Sequence, residues 1–98
     1  MKKSIPVFLI IIISIFFTVL APSVFAQTTQ LTKKIAAEYR DKGLQAQQSH
    51  DLDNALIYYQ KALELDPSLT LVYNDMGVIY ESKGWIDQAK KAYARAGS

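Results

Sequence analysis

From Ile35 to Ser98, small and aromatic residues recur at helical spacing with polar residues between them. In the stretch from Asp53 to Pro67, Ala55 and Ala62 stand seven apart and so return to nearly one face after two turns. Tyr59 lies between them, four after the first and three before the second. This small–large–small stripe suits a helix that comes very close to a neighbour while one ring fills the gap beside it. Asp66-Pro67 ends the helix, because the residue before a proline is pushed out of the helical region. Pro67 can then open the following helix, where its missing N–H is harmless.

The same pattern predicts four helices and no strand. The first runs from Lys33 to about Gln48, capped by Thr32, with Leu31, Ile35, Tyr39, Gly43 and Ala46 on its inner stripe. The second spans Leu52 to Leu65 with Asp51 as its cap, the third about Ser68 to Ser82, the fourth about Ile86 to Ala96. Ser49-His50-Asp51 and Lys83-Gly84 form turns, Gly84 in the left-handed conformation that ends helices. A glycine inside a helix costs about 1 kcal/mol relative to alanine. Gly43 is therefore predicted to stand where the partner helix comes close.

Shifted by thirty-four residues, the chain falls on itself: Tyr39 on Tyr73, Gly43 on Gly77, Asp53 on Asp87, Ala55 on Ala89, Tyr59 on Tyr93, Ala62 on Ala96. With this spacing the chain resembles the tetratricopeptide repeat family. The first unit matches the family pattern at Tyr39, Gly43, Ala55, Tyr59, Ala62 and Pro67. The second matches at Tyr73, Gly77, Tyr80, Gly84, Ala89, Tyr93 and Ala96. Departures from it are Lys42 in place of a leucine, Ala46 in place of an aromatic, His50 in place of a turn glycine, and Met76 in place of a leucine. The resemblance covers Ile35 to Ser98 and implies an all-α helix-turn-helix solenoid of two repeats. The first repeat is residues 35–69 and the second 70–98, which stops before a closing proline.

The first thirty-four residues have another character. Met1-Lys2-Lys3, an apolar run from Val7 to Leu20, and Ala21-Pro22-Ser23-Val24-Phe25-Ala26 read as an export signal. Pro22 is expected to break the helix, and Val24 and Ala26 stand three and one before a cut at Gln27. No cysteine follows, which excludes a lipoprotein anchor. Residues 1–26 are thus a signal peptide or, if uncleaved, a signal anchor, since Ile5 to Phe25 is long enough for a thin bilayer. Residues 27–34 are a mobile polar lead-in. Either outcome places the repeats beyond the cytoplasmic membrane, periplasmic or secreted, with Lys2 and Lys3 left inside.

Charge narrows the partners. The net charge of +2 belongs to Lys2 and Lys3, and beyond them nine basic residues equal nine acidic ones. A neutral domain gives no electrostatic case for nucleic acid, and a membrane partner is expected only if the leader is retained. Without cysteine there is no disulfide, thiolate or cysteine-based metal site. His50 is the single histidine, and Asp51-Leu52-Asp53-Asn54 lacks the glycine and distal glutamate of a calcium loop. No catalytic residue, cofactor or metal is expected, and the chain does not read as an enzyme.

What the resemblance implies is a protein-binding site. In this family the first helix of each repeat lines a concave groove that holds a peptide segment or helix. The corresponding positions are Ala37, Arg40, Leu44, Gln47 and Gln48 in the first repeat and Leu71, Asn74, Val78, Glu81 and Ser82 in the second. Leu44 stands where some members carry an Asn that clamps a terminal carboxylate, and only Arg40 offers a cation, so a clamp is not expected. Leu44, Leu71 and Val78 read equally well as residues packed between helices. The last helix presents Ile86 and Tyr93 on an apolar side with nothing after it in sequence, an end on which a partner or a second copy could stack. Trp85 either folds back over its helix pair or stands out as a contact anchor. Tyr58 lies off the repeat pattern and is the tyrosine freest to touch something else. The leading expectation is an exported adaptor or scaffold that binds a partner protein. The alternatives are a self-stacking structural subunit and a membrane-anchored assembly factor.

Overall fold

The computed structural model describes the backbone of residues 6–97 and the side-chain surroundings of residues 6–13 and 25–97. Within that range the chain forms four helices, α1 (Val7–Gln48), α2 (Leu52–Leu65), α3 (Thr70–Ser82) and α4 (Ile86–Ala96), with no strand among the described residues. It divides into two units, Met1–Leu31 and Thr32–Ser98, the division falling inside α1.

The start of α1 corrects the sequence reading. No break occurs at Pro22, Thr32 does not begin a helix, and the expected lead-in at residues 27–34 is helical. A single proline deletes one backbone hydrogen bond, and no glycine or second proline from Ser23 to Lys42 completes a break. Thr29 is accommodated because its hydroxyl donates to the Phe25 carbonyl at 2.9 Å, one turn back. In the first unit the apolar side chains from Val7 to Ile13 and Phe25 are exposed. Residues 1–5 of the expected export segment lie outside the described residues, as do the side chains of residues 14–24, Val24 at the cut among them. Among the described residues, no helix is long and apolar enough to cross a membrane.

The second unit is built by one contact used twice. Gly43 on α1 lies flat under the ring of Tyr59 on α2, and a Cβ placed on Gly43 would meet that ring at 2.5 Å. Thirty-four residues on, Gly77 of α3 lies under Tyr93 of α4, where a Cβ would meet the ring at 2.6 Å. Ala55 and Ala62 flank Tyr59 on α2 and are fully buried, as the small–large–small stripe predicts. Ala89, beside Tyr93, is buried as well. The core is centred between the two helix pairs, where Ala55, Leu56 and Tyr59 of α2 meet Val72, Met76 and Ile79 of α3. Leu44, Ala46, Leu52, Leu63, Leu69 and Tyr80 close over it in part.

Both turns within the pairs have the same hydrogen-bond pattern. After α1, the Asp51 N–H donates to the Ala46 carbonyl at 2.8 Å and the His50 N–H to the Gln47 carbonyl at 3.0 Å. After α3, the Trp85 N–H donates to Tyr80 at 2.8 Å and the Gly84 N–H to Glu81 at 2.9 Å. These are paired backbone closures around a left-handed residue, Gly84 at φ 78° and His50 at φ 59°. Gly84 takes that conformation freely. His50 takes it against the steric preference of an L-residue, about 1–2 kcal/mol. Asp51 caps α2 as expected, its carboxylate accepting from the Asn54 side-chain amide at 2.7 Å and facing the Asn54 N–H at 3.5 Å.

Between the pairs, α3 starts at Thr70 instead of Ser68, and Pro67 occupies the turn instead of opening the helix. The Asp66 side chain is the reason. Its carboxylate accepts from both the Ser68 N–H (3.1 Å) and the Ser68 hydroxyl (2.5 Å), holding a local turn that delays the helix. The hydroxyl bond is also the main reason the Asp66 carboxyl sits below the usual aspartate range. A salt bridge also joins the pairs, with the Lys83 Nζ 2.6 Å from Asp53 Oδ1.

The ring-on-glycine contacts make a direct prediction. Gly43→Ala gains up to about 1 kcal/mol of helix propensity. Against this, it forces a methyl into a fully buried ring, an overpacking cost of about 1–3 kcal/mol. A net loss of about 1–2 kcal/mol in urea unfolding is expected. Gly77→Ala, facing the less buried Tyr93, should lose less. Equal or raised stability in Gly43→Ala would refute the close approach as the fixed point of the fold.

Candidate interaction surface

The residues assigned to the groove separate into two groups. Leu71, Asn74, Val78 and Glu81 of α3 are exposed, with Leu71 65% and Val78 44% accessible. Their spacing of three, four and three puts them along one stripe of α3, away from buried Val72, Met76 and Ile79. On α1, Ala37 and Gln48 are exposed, but Arg40, Leu44 and Gln47 are engaged within the fold.

Each engaged residue has a distinct task. Leu44 packs against the core cluster. The Gln47 side-chain carbonyl accepts the Tyr59 hydroxyl at 2.7 Å, so the ring lying on Gly43 is also held at its tip. The equivalent acceptor in the second repeat is Glu81, thirty-four residues on. Burial, and then the charge and hydrogen bond of Glu81, hold the Tyr93 hydroxyl above the usual tyrosine range. Arg40 Nε stands 3.8 Å from Asp75 Oδ2, an ion pair between α1 and α3 too long for a hydrogen bond. Burial raises the Asp75 carboxyl, and Arg40 opposes that shift. Burial also pushes the Tyr59 hydroxyl up to about 12, with Asp75 adding to the shift and Arg40 reducing it. Beside Arg40, a hollow of about 150 Å³ is lined by residues from Ser68 to Val72.

The other aromatic assignments resolve into packing. Tyr58 is not the free tyrosine the sequence suggests: it stacks on Tyr39 with ring centroids 6.3 Å apart. Lys42 and Lys61 lie over the Tyr39 ring at 5.2 and 5.6 Å, so two cations and a second ring surround one aromatic side chain. Arg95 lies over Tyr73 at 5.5 Å, in the place of Lys61 over Tyr39. Trp85 folds toward Tyr80, centroids 6.0 Å apart, beneath Lys83 at 5.0 Å, yet remains 46% exposed. Ile86 is 51% exposed, whereas the Tyr93 ring lies on Gly77. Pro67 is exposed in its turn, and Gly84 has open space beside it, so both shape the turns without filling the core.

One residue here, Asp75, escaped the sequence reading, and two others have a different task from the one expected. Asp75 repeats Asp41 of the first unit, and only the approach of α1 to α3 gives it Arg40 as a partner. Gln47 and Glu81 form a repeated polar position that the family resemblance places in the groove, whereas both serve as acceptors for a tyrosine tip. Among the described residues, no group of three His, Cys, Asp or Glu side chains could hold a metal.

Two family models described as tetratricopeptide repeat match this chain, one over residues 36–69 and one over residues 58–91. The second match crosses from α2 into α4 and so spans the junction between the two helix pairs. No curated protein and no solved structure matches the chain.

Ionisation of Tyr59 provides a test of this arrangement. Its folded value lies above the ordinary 10, so the stability it contributes is present below pH 10 and lost as pH rises toward 12. Tyr59→Phe should cost about 1 kcal/mol at pH 7, from the lost bond to Gln47. It should also flatten the decline in stability between pH 10 and 12. Urea unfolding of both proteins across that range checks this, and an unchanged alkaline slope would contradict it.

Proposed function

With residues 36–91 belonging to the tetratricopeptide repeat family, we propose that this chain is an exported protein-interaction module that docks a partner segment along α3. Repeats of this family are an interaction fold, which supports a protein partner and a binding role over an enzymatic one. The observation that carries the reading is the row Leu71, Asn74, Val78 and Glu81. Two exposed aliphatic side chains there alternate with an amide and a carboxylate on a helix whose Val72, Met76 and Ile79 are buried in the core. An apolar pair spaced one helical repeat apart, bordered by polar groups, suits an amphipathic helix or extended peptide. Arg40 contributes to the edge of this surface through its hollow, while its main partner is Asp75.

The export part of the reading rests on the cationic start, the apolar run from Val7 and the small residues Val24 and Ala26. In it, residues 1–26 direct the chain across the cytoplasmic membrane and are removed before Gln27, and residues 35–69 and 70–98 form the two repeats. Retention of residues 1–26 would make the same module a membrane-anchored one.

The groove is tested by cross-linked affinity purification from the native host, comparing the parent chain with Leu71→Glu/Val78→Glu. Both substitutions lie on exposed positions, so helical content and urea midpoint should be unchanged. Partner recovery should fall by about tenfold or more, the loss of two apolar contacts of roughly 1 kcal/mol each. Undiminished recovery of a partner would overturn the α3 surface. Recovery of only the chain itself, as a ladder of multiples, would favour self-stacking through Ile86 and the α4 side. Intact mass of the recovered protein, starting at Gln27 or at Met1, distinguishes a removed signal from an anchor.

A further inference from the structure

Under the thirty-four-residue shift the repeats differ in their aromatic packing at three places: Tyr80 and Trp85 of the second stand over Ala46 and Asp51 of the first, and the third difference concerns Tyr58. In the first repeat, Tyr39 carries a stacked ring, Tyr58, and a cation from α2, Lys61. In the second, Tyr73 stands for Tyr39 and Arg95 for Lys61, with the cation again over the ring at 5.5 Å. The counterpart of Tyr58, however, is Ala92. Where the first repeat places a phenol ring, the second has an open cleft of about 380 Å³ between α3 and α4. Its lining includes Tyr73, Met76, Tyr80, Lys91, Ala92 and Arg95.

This cleft is separate from the proposed groove. Tyr73, Met76 and Tyr80 each lie two residues after Leu71, Asn74 and Val78, a rotation of about 200° to the opposite side of α3. Its volume falls within the range of about 300–1,000 Å³ typical of ligand sites. Two aromatic rings and a thioether form apolar surface of the kind that receives a flat ring. The ionisable lining residues with side-chain charge at neutral pH are Lys91 and Arg95, both cations. Glu64, an opposing charge, lines an adjoining hollow that shares Tyr73, Met76 and Arg95.

We propose that the α3–α4 cleft is a second docking site that takes one aromatic side chain of a partner protein, flanked in the partner's sequence by carboxylates. The ring occupies the place that Tyr58 fills in the first repeat, stacked on Tyr73. The neighbouring carboxylates face Lys91 at the rim. Chain-internal symmetry thus identifies the guest: the first repeat already contains the complex that the second is shaped to form.

Trp85 provides the readout, because it is the single tryptophan and lies on Tyr80 in the cleft wall. The full-length chain is titrated with the blocked peptide Ala-Asp-Tyr-Glu-Ala while Trp85 emission is followed. The controls carry Asp-Ala-Glu and Lys-Tyr-Lys at the centre. Saturable change with the acidic tyrosine peptide, and binding about tenfold weaker or worse for each control, is expected, the equivalent of one lost contact of about 1.4 kcal/mol. Ala92→Tyr, which supplies the ring from the chain itself as Tyr58 does, should keep its helical circular dichroism and abolish the titration. Lys91→Glu, at an exposed rim position, should shift the preference to the Lys-Tyr-Lys peptide. Leu71→Glu/Val78→Glu should leave the titration intact, which separates this site from the groove. Equal response to all three peptides, no saturation, or undiminished binding by a folded Ala92→Tyr would each overturn the proposal. So would concentration-dependent self-association in sedimentation that Ala92→Tyr removes, since the guest would then be a second copy.

Discussion

A tyrosine ring lying directly on a glycine backbone is the constraint from which the rest of the repeat unit follows. It sets how closely α2 approaches α1 and α4 approaches α3, because no side chain separates the ring from the opposite helix. Once the distance is set, the positions flanking the ring must be small, which is why Ala55 and Ala62 are fully buried. The phenol tip then needs an acceptor one turn beyond the glycine. Gln47 supplies it in the first repeat and Glu81 takes the same role in the second. In the first repeat, position, spacing and chemistry of Gly43, Gln47, Ala55, Tyr59 and Ala62 are thereby linked to one contact.

Two copies of such a pair do not form a unit until something joins them. Here the joint is the apolar meeting of α2 with α3, reinforced by the Arg40–Asp75 and Lys83–Asp53 bridges. The ion pairs differ in character. Lys83 reaches an exposed carboxylate and contributes little, as surface pairs do. Arg40 and Asp75 are more withdrawn from water, and burial still raises the Asp75 carboxyl despite its partner. Such a pair, too long for a hydrogen bond and partly withdrawn from water, adds little net stability because desolvation offsets its attraction.

The surfaces left over are what suit the chain to binding. On one side of α3 the leftover is a row of exposed aliphatic and polar groups, and on the other a ring-sized cleft arising from Ala92. Near neutrality of the repeat segment means that neither surface attracts partners at long range. Recognition must come from shape and short-range contacts.

How much of this was legible beforehand depends on whether a feature is local. Periodicity determined the bounds of α2 and α4, the close-packing role of Gly43 and the left-handed turn at Gly84, because each follows from backbone preference or from residues within two turns. The reading failed where a weak local cue met a cooperative one. Pro22 and Thr32 suggested helix boundaries, but the uninterrupted helix-compatible run beyond Pro22 carried α1 through both. At Ser68, the Asp66 carboxylate captured the turn and moved the start of α3. By itself, then, the sequence determined the repeat, its helices and the close approach at Gly43, since these depend on spacing along one or two helices, whereas the structure showed that Tyr59 and Tyr93 are the rings lying on the glycines. Only the tertiary structure decided that Arg40, Leu44 and Gln47 serve the fold while Leu71 and Val78 stay exposed, and that Tyr58 is stacked while Ala92 leaves a cleft. Those outcomes depend on which neighbour each side chain meets across helices, and helical spacing gives a residue's face without giving what lies opposite it.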